Sequence, residues 1–224
     1  MTEKKMKYRY WLSLFLFILI LCGILFAVFY NEAKRESIQN LNNHQTILAQ
    51  QAKKGIEDLF NLYINLLNRK SGYNHIIVLD EEGKREIQSI YNIFSDDIAS
   101  VTRVDEKGYI VYTFPYDYRS IRRDISYQSH IKEIMKTLRP VVSDVITTVQ
   151  GFRAIALHVP VFQGMEYKGT LGILIRFENI AKKYLENIRI GNEGYAWMIS
   201  KEGTELYCPV PGHTGKTVFE NCKD

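Results

Sequence analysis

Two runs in the middle of the chain carry the residues best suited to hold something. From Phe152 to Pro160, alternate residues fall into two sets: Ile155, Leu157 and Val159 against Ala154, Ala156 and His158. From Thr170 to Arg176 the sets are Leu171, Ile173 and Ile175 against Thr170, Gly172 and Leu174. Successive side chains of a strand point to opposite faces, so each run has one bulky apolar face and one face of small residues with a polar group. The small faces leave room. Either a small ligand fills it or the Tyr-rich loop 116–127 packs into it. That loop holds Tyr118, Arg119, Arg122, Arg123, Asp124 and Tyr127, which can lid such a cavity. A guanidinium fork suits a carboxylate or phosphate, although arginines in exposed loops commonly stay solvated. His130 and His158 are candidate ligand donors, and a lone histidine is equally at home as a structural residue. Ser143-Asp144 reads either as a contact to the ligand or as a hydrogen-bonded strand end.

Catalytic and metal chemistry lack such a pattern. There is no G-x-S-x-G, H-E-x-x-H or phosphate loop, and the five histidines are scattered without metal-ligand spacing. Cys208-Pro-Val-Pro-Gly-His213 sets a cysteine and a histidine five apart, but its prolines read first as a rigid turn. No catalytic residue, metal or cofactor is expected. Cys208 and Cys222 can pair if they face an oxidising compartment, and the sequence does not say how far apart they lie.

The position of these residues is set by the stretch Trp11 to Tyr30, WLSLFLFILILCGILFAVFY, interrupted only by Ser13. About twenty such residues span a ~30 Å hydrocarbon core as a helix. Aromatics flank it at both ends, as rings do at headgroup depth. Lys4, Lys5, Lys7 and Arg9 precede it, while the flank after it is balanced, so residues 1–10 form a cytoplasmic tip and residues from 31 onward lie outside. The apolar core is longer than that of a signal peptide and no small-residue cleavage site follows it, which predicts an uncleaved anchor. Cys22 reads as an ordinary membrane residue. The net charge of +4 is modest and forms no basic stripe for nucleic acid, whereas 46% apolar residues suit a packed body.

Outside the anchor (11–30), residues 31–70 show apolar positions at steps of three and four, predicting one long helix with a seam suited to a homodimer. A second helix is expected from Lys84 to Phe94. Period-two runs follow at Ile98–Val104 and Tyr109–Phe114, joined through Asp105 to Gly108. A helix from His130 to Leu138 leads to three further strands, Val141–Val149, Phe152–Phe162 and Tyr167–Phe177. The pattern predicts an α+β domain: a five-stranded antiparallel sheet with a helix inserted after the second strand. A helix from Glu178 to Ile188 closes this body. A new hairpin, Tyr195–Ser200 with Thr204–Cys208, opens what looks like a second copy of the sheet motif, with too few residues to finish it.

Together, IASVTRVDEKGYIVYTFP, the DIS of Asp124 to Ser126, RPVVSD from Arg139, ALHVPVF from Ala156, GTLGILI from Gly169 and GNEGYAWMISKEGTELYCP from Gly191 resemble the double Cache sensors of bacterial receptors. Histidine kinases are the nearest likeness, with chemoreceptors and diguanylate cyclases beside them. The resemblance implies a PAS-like distal sensor module (71–188) that binds a small molecule, and the start of a proximal module (189–224). It also implies a single-pass position in the bacterial cell membrane, and either a longer receptor continuing beyond residue 224 or a truncated product. Amino-acid-binding members use an Arg and a Trp-Tyr pair after the DIS-like motif and an Asp on the last distal strand. The matching places here are Gln128, Ser129, His130 and Leu174, so the resemblance implies a ligand other than a free amino acid. A membrane-anchored binding module without an output domain is the alternative.

Overall fold

The structure, a computed structural model, describes residues 2–191 and 194–222. Asn192 and Glu193, inside the motif that begins at Gly191, lie outside the described residues, as do the side chains of the basic tip. The chain divides into two compact units, residues 1–50 and 51–224.

The anchor and the long helix expected after it are one unbroken helix, α1 (Thr2–Ser71). In the first unit its large apolar residues are exposed, Trp11 and Phe29 each at 72%. From Leu14 it is long and apolar enough to cross a membrane, and it is the one described helix that is.

The second unit begins with the rest of α1, followed by α2 (Asn74–Val78) and α3 (Glu81–Phe94). The α3 helix starts one turn before the expected Lys84, because the Asp80 side chain accepts from the Gly83 backbone N–H at 2.9 Å and caps it. Next come β1 (Ile98–Val104), β2 (Ile110–Phe114), α4 (Ser129–Thr137), β3 (Val141–Thr147), β4 (Arg153–Gln163) and β5 (Glu166–Ile175). The five strands form one antiparallel sheet in the order β2-β1-β5-β4-β3, with α4 inserted after the second strand as the sequence predicts. Tyr109 falls outside β2 and bridges to Asp124 instead.

The two alternating faces separate as expected. Leu157, Val159, Leu171, Ile173 and Ile175 are buried with Tyr63 and Leu67 of α1 and Ile87 and Ile90 of α3. At about 2 kcal/mol per buried aliphatic side chain, this face supplies most of the unit's hydrophobic stabilisation. One buried cation crosses it. Arg103 donates to the carbonyls of Ile76 (3.2 Å) and Lys168 (2.7 Å), tying α2 to the sheet, and its burial lowers its pKa to about 10.

The remaining elements are α5 (Phe177–Leu185), β6 (Arg189–Ile190), β7 (Gly194–Tyr195), β8 (Met198–Ile199), β9 (Glu205–Tyr207) and α6 (Val218–Asn221). The helix expected to reach Ile188 stops at Leu185, because the chain turns there to pair β6 with β7. The expected hairpin is present but short: β8 pairs with β9, Met198 opposite Tyr207.

Candidate functional site

Register brings the small faces together. Thr102 of β1 lies opposite Gly172 of β5, which lies opposite His158 of β4, and the next rung is Ser100, Leu174 and Ala156. The lack of a side chain at Gly172 is what admits the His158 ring, since a Cβ there would sit 2.5 Å from it. His158 Nδ1 then reaches Thr170 Oγ1 at 2.8 Å. Across from the sheet, α4 buries His130, Ile131 and Ile134. Ile125 and Ile131 cluster with Val104 and Ile110, and Ile121 and Met135 pack against them.

Between this cover and the sheet lies a cavity of about 30 Å³. A water needs ~10–15 Å³ measured in this way, so the space as it stands holds about two. Its floor is Thr102, His158 and Leu174; Gln128 and His130 enter from the start of α4; Ile146, Thr148, Val149 and Gln150 come from the end of β3 and the turn after it. The His130 and His158 rings lie 5.3 Å apart, inclined at 42°. Burial lowers the His130 pKa to about 4. Burial also pushes His158 well below its ordinary value, and repulsion from His130 adds to this. Both rings are neutral at pH 7, and no Asp, Glu, Lys or Arg lines the cavity among the described residues.

Two polar atoms of this lining, His130 Nδ1 and Gln150 Oε1, are buried without a hydrogen-bond partner among the described residues. Buried polar groups are nearly always paired, because leaving one unpaired costs ~1–3 kcal/mol. A guest that offers a donor to Gln150 and a polar atom to His130 recovers that cost.

Of the residues singled out in the sequence, Gln128, His130, His158 and Leu174 line the cavity. Thr170 supports His158 from beside it, and Ala156 is fully buried opposite Leu174. Asp144 is exposed and accepts from its neighbour Val145 N–H at 2.7 Å, while the hydroxyl of Ser143 accepts from Ala156 N–H at 2.8 Å. The loop expected as a lid reaches the cavity only through Ile125, and the residues singled out on it face the other way. Tyr118 and Tyr127 are 75% and 64% exposed, and the side chains of Arg122 and Arg123 are in solvent. Asp124 accepts from Ser126 N–H at 2.8 Å, and hydrogen bonding from the Ser126 side chain and then its backbone holds the carboxyl below its ordinary pKa. The physical reason is that Ile121 and Ile125 take the inward positions of this segment, which turns its charged residues outward.

Sequence reasoning missed Thr102, Thr148 and Gln150. For Thr102 a signal existed in the alternation Ser100, Thr102 against Val101, Arg103. For Gln150 there was none, since Gln150-Gly151 reads simply as a turn. Cys208 and Cys222 are free thiols that line a second cavity, with Tyr195 and Trp197.

Residues 29–217 match the family model described as a Cache domain. No curated protein matches the chain. Several solved structures share its fold. An extracellular ligand binding receptor from Desulfohalobium retbaense superposes with a TM-score of 0.64 at 22% identity, covering 79% of this chain and 33% of that one. The chain thus spans about a third of that receptor. The ligand binding domain of the Pseudomonas aeruginosa amino acid chemoreceptor PctC, in complex with GABA, gives 0.64 at 20% identity and 80% coverage of each chain. The sensor domain of the Vibrio cholerae histidine kinase DctB gives 0.62 at 12% identity, covering 80% of this chain and 70% of that one. At these identities the likeness is one of fold.

Proposed function

The chain belongs to the Cache-domain family, and from that premise we propose that it is the ligand-sensing region of a membrane-bound signalling receptor. The anchor in α1 holds it in a bacterial cell membrane with the N-terminus in the cytoplasm and residues from 31 onward outside. The receptor works as a homodimer along α1. Its output is a histidine kinase, with a chemoreceptor or diguanylate cyclase output as the alternative. The coding DNA beyond codon 224 discriminates among these.

One observation carries the ligand reading: the cavity on the small-residue face is lined by His130 and Gln150, whose Nδ1 and Oε1 are buried without a hydrogen-bond partner among the described residues. The ligand is a compact polar molecule, neutral or an organic acid. PctC is seen with GABA, whose ammonium group calls for an acidic partner; the neutral lining with Leu174 is what supports a ligand other than a free amino acid. Because about 30 Å³ does not hold such a molecule, α4 and the turn at Gln150 must shift outward to admit it. The ligand therefore binds the opened arrangement better than the closed one, and that difference in affinity is what biases the module.

The test is thermal unfolding of the full chain in detergent micelles against organic acids, neutral polar molecules and amino acids. A ligand at a hundredfold excess over Kd stabilises the folded state by ~2.7 kcal/mol. At least one compound of the first two classes should raise the melting temperature. Leu174→Phe, which fills the cavity, and Gln150→Ala, which removes the acceptor, should abolish the rise. Stabilisation by amino acids alone overturns the ligand class, and stabilisation unchanged by both variants overturns the site.

A further inference from the structure

The second cavity holds a cluster that the ligand reading leaves unused. Glu205 of β9, Cys208 just after it and His213 place a carboxylate oxygen, a sulfur and an imidazole nitrogen within 4.8 Å of one another. Glu205 is only 4% exposed, and its Oε2 has no hydrogen-bond partner among the described residues. The imidazole Nδ1 of His213 stands 3.5 Å from it without making one. A buried carboxylate left in this state is costly, more so than a neutral group. We propose that Glu205, Cys208 and His213 hold a divalent transition-metal ion of the zinc class, with a fourth position open toward the cavity.

The geometry suits such an ion. Ligands at ~2.0–2.3 Å around a tetrahedral centre lie about 3.5 Å from each other. That is the His213–Glu205 separation, too long for a good hydrogen bond and right for one edge of the tetrahedron. The loop is built before any ion arrives. Pro209 and Pro211 fix φ and remove two backbone donors, and Gly212 and Gly215 take φ of +82° and +90°, which favour glycine. The chain then doubles back. Glu205 N–H donates to Lys216 C=O and Gly215 N–H donates to Glu205 C=O, each at 2.8 Å, which sets His213 against β9. Asn221 holds the His213 carbonyl from the other side at 3.1 Å.

Charge and softness name the class of ion. One thiolate and one carboxylate neutralise a divalent cation, with the imidazole neutral. A thiolate among the ligands favours zinc-like ions over calcium or magnesium. Cys222 lines the same cavity, so a Cys208–Cys222 disulfide is the competing use of the sulfur.

The experiment uses the full chain in detergent micelles, purified under reductant, loaded with Zn(II) or Co(II). One Zn(II) per chain is expected, and Co(II) should give a thiolate-to-cobalt charge-transfer band with visible bands of tetrahedral intensity. Cys208→Ser should abolish that band. Glu205→Gln, nearly isosteric and so safe for the fold, and His213→Ala should each weaken binding by about 100-fold or more, since even outer-shell losses cost 10–100-fold. Cys222→Ser should keep the ion while making a disulfide impossible. Substoichiometric zinc, a cobalt band that survives Cys208→Ser, or loss of binding in Cys222→Ser overturns the assignment. Leu174→Phe should leave zinc binding intact, so this site and the ligand site fail separately.

Discussion

On the α1 side of the sheet, Leu157, Val159, Leu171, Ile173 and Ile175 meet Tyr63, Leu67, Ile87 and Ile90, all of them buried. On the α4 side β1, β4 and β5 present Ser100, Thr102, Ala156, His158 and Thr170, with Gly172 reduced to backbone so that an imidazole can lie over it. The first face is fully buried and apolar, and the second holds a cavity and buried polar atoms without a partner among the described residues. The difference teaches where each property of a sensor resides. Stability comes from the apolar face, and the capacity to change on binding comes from the face that is incompletely satisfied. Burial cost left uncompensated on one side of a sheet is tolerable because the other side over-compensates it.

The largest effect expected is on the packed face. Leu157→Ala should cost about 3 kcal/mol, within the ~2–5 kcal/mol range for buried Leu to Ala, because α1 and β5 cannot both collapse into the void. Ser100→Ala on the opposite face should behave oppositely. Its hydroxyl is buried without a partner among the described residues, so removing it should be neutral or raise stability by up to ~1 kcal/mol. Chemical denaturation of both variants reads the contrast. Equal losses at the two positions would erase it.

Acid should act through the pocket face. An unfolded histidine takes up a proton as the pH falls through its ordinary value of 6.5, while folded His130 resists until about 4. The unfolded state therefore binds more protons in that window, and stability falls as the pH drops from 6.5 toward 4. A shift of this size corresponds to about 3 kcal/mol at most. His158 acts in the same direction. His130→Gln should make the profile between pH 6.5 and 4 shallower under urea denaturation, leaving the slope that His158 contributes. A wild-type profile already flat there would mean that the ring is solvated in solution.

Legibility followed how local each feature is. The strands and the two-faced character of β4 and β5 were readable because alternation is a property of five to ten consecutive residues. The same is true of the apolar run at Trp11–Tyr30. The cavity was half readable: His158 and Leu174 announce a small face, but Thr102 joins them only through the register Thr102 opposite Gly172, a pairing across about seventy residues. Gln150 was not readable, since its role depends on a turn folding back over β3. The basic loop misled because charge was weighed and the i, i+4 pair Ile121 and Ile125 was not. Those two isoleucines decide which way the loop faces. The Glu205, Cys208 and His213 cluster was passed over for a similar reason. Glu205 reads as an ordinary strand residue until the chain at Gly215 and Lys216 pairs with it.

The smallest effect expected belongs to that basic loop. Arg122 and Arg123 are exposed, Arg123 Nε donating to the nearby Arg119 C=O at 3.1 Å, and the backbone ties the segment to β2: Arg122 N–H donates to Ile110 C=O at 2.8 Å, and Ile110 N–H donates to Arg123 C=O at 3.0 Å. Arg122 has φ of +64°, which would favour glycine. Alanine there keeps a Cβ and so keeps the same backbone cost, leaving only a solvated side chain to lose. Arg122→Ala together with Arg123→Ala should therefore change stability by less than ~0.5 kcal/mol, as exposed substitutions do. They should also leave unchanged any ligand-induced rise in melting temperature that Gln150→Ala abolishes. A rise lost in the double variant, with folding intact, would mean that the loop turns over to meet the ligand. The bound state would then recruit charge that the empty pocket lacks, and an anionic ligand would be held by these two guanidinium groups rather than by the neutral lining of the sheet.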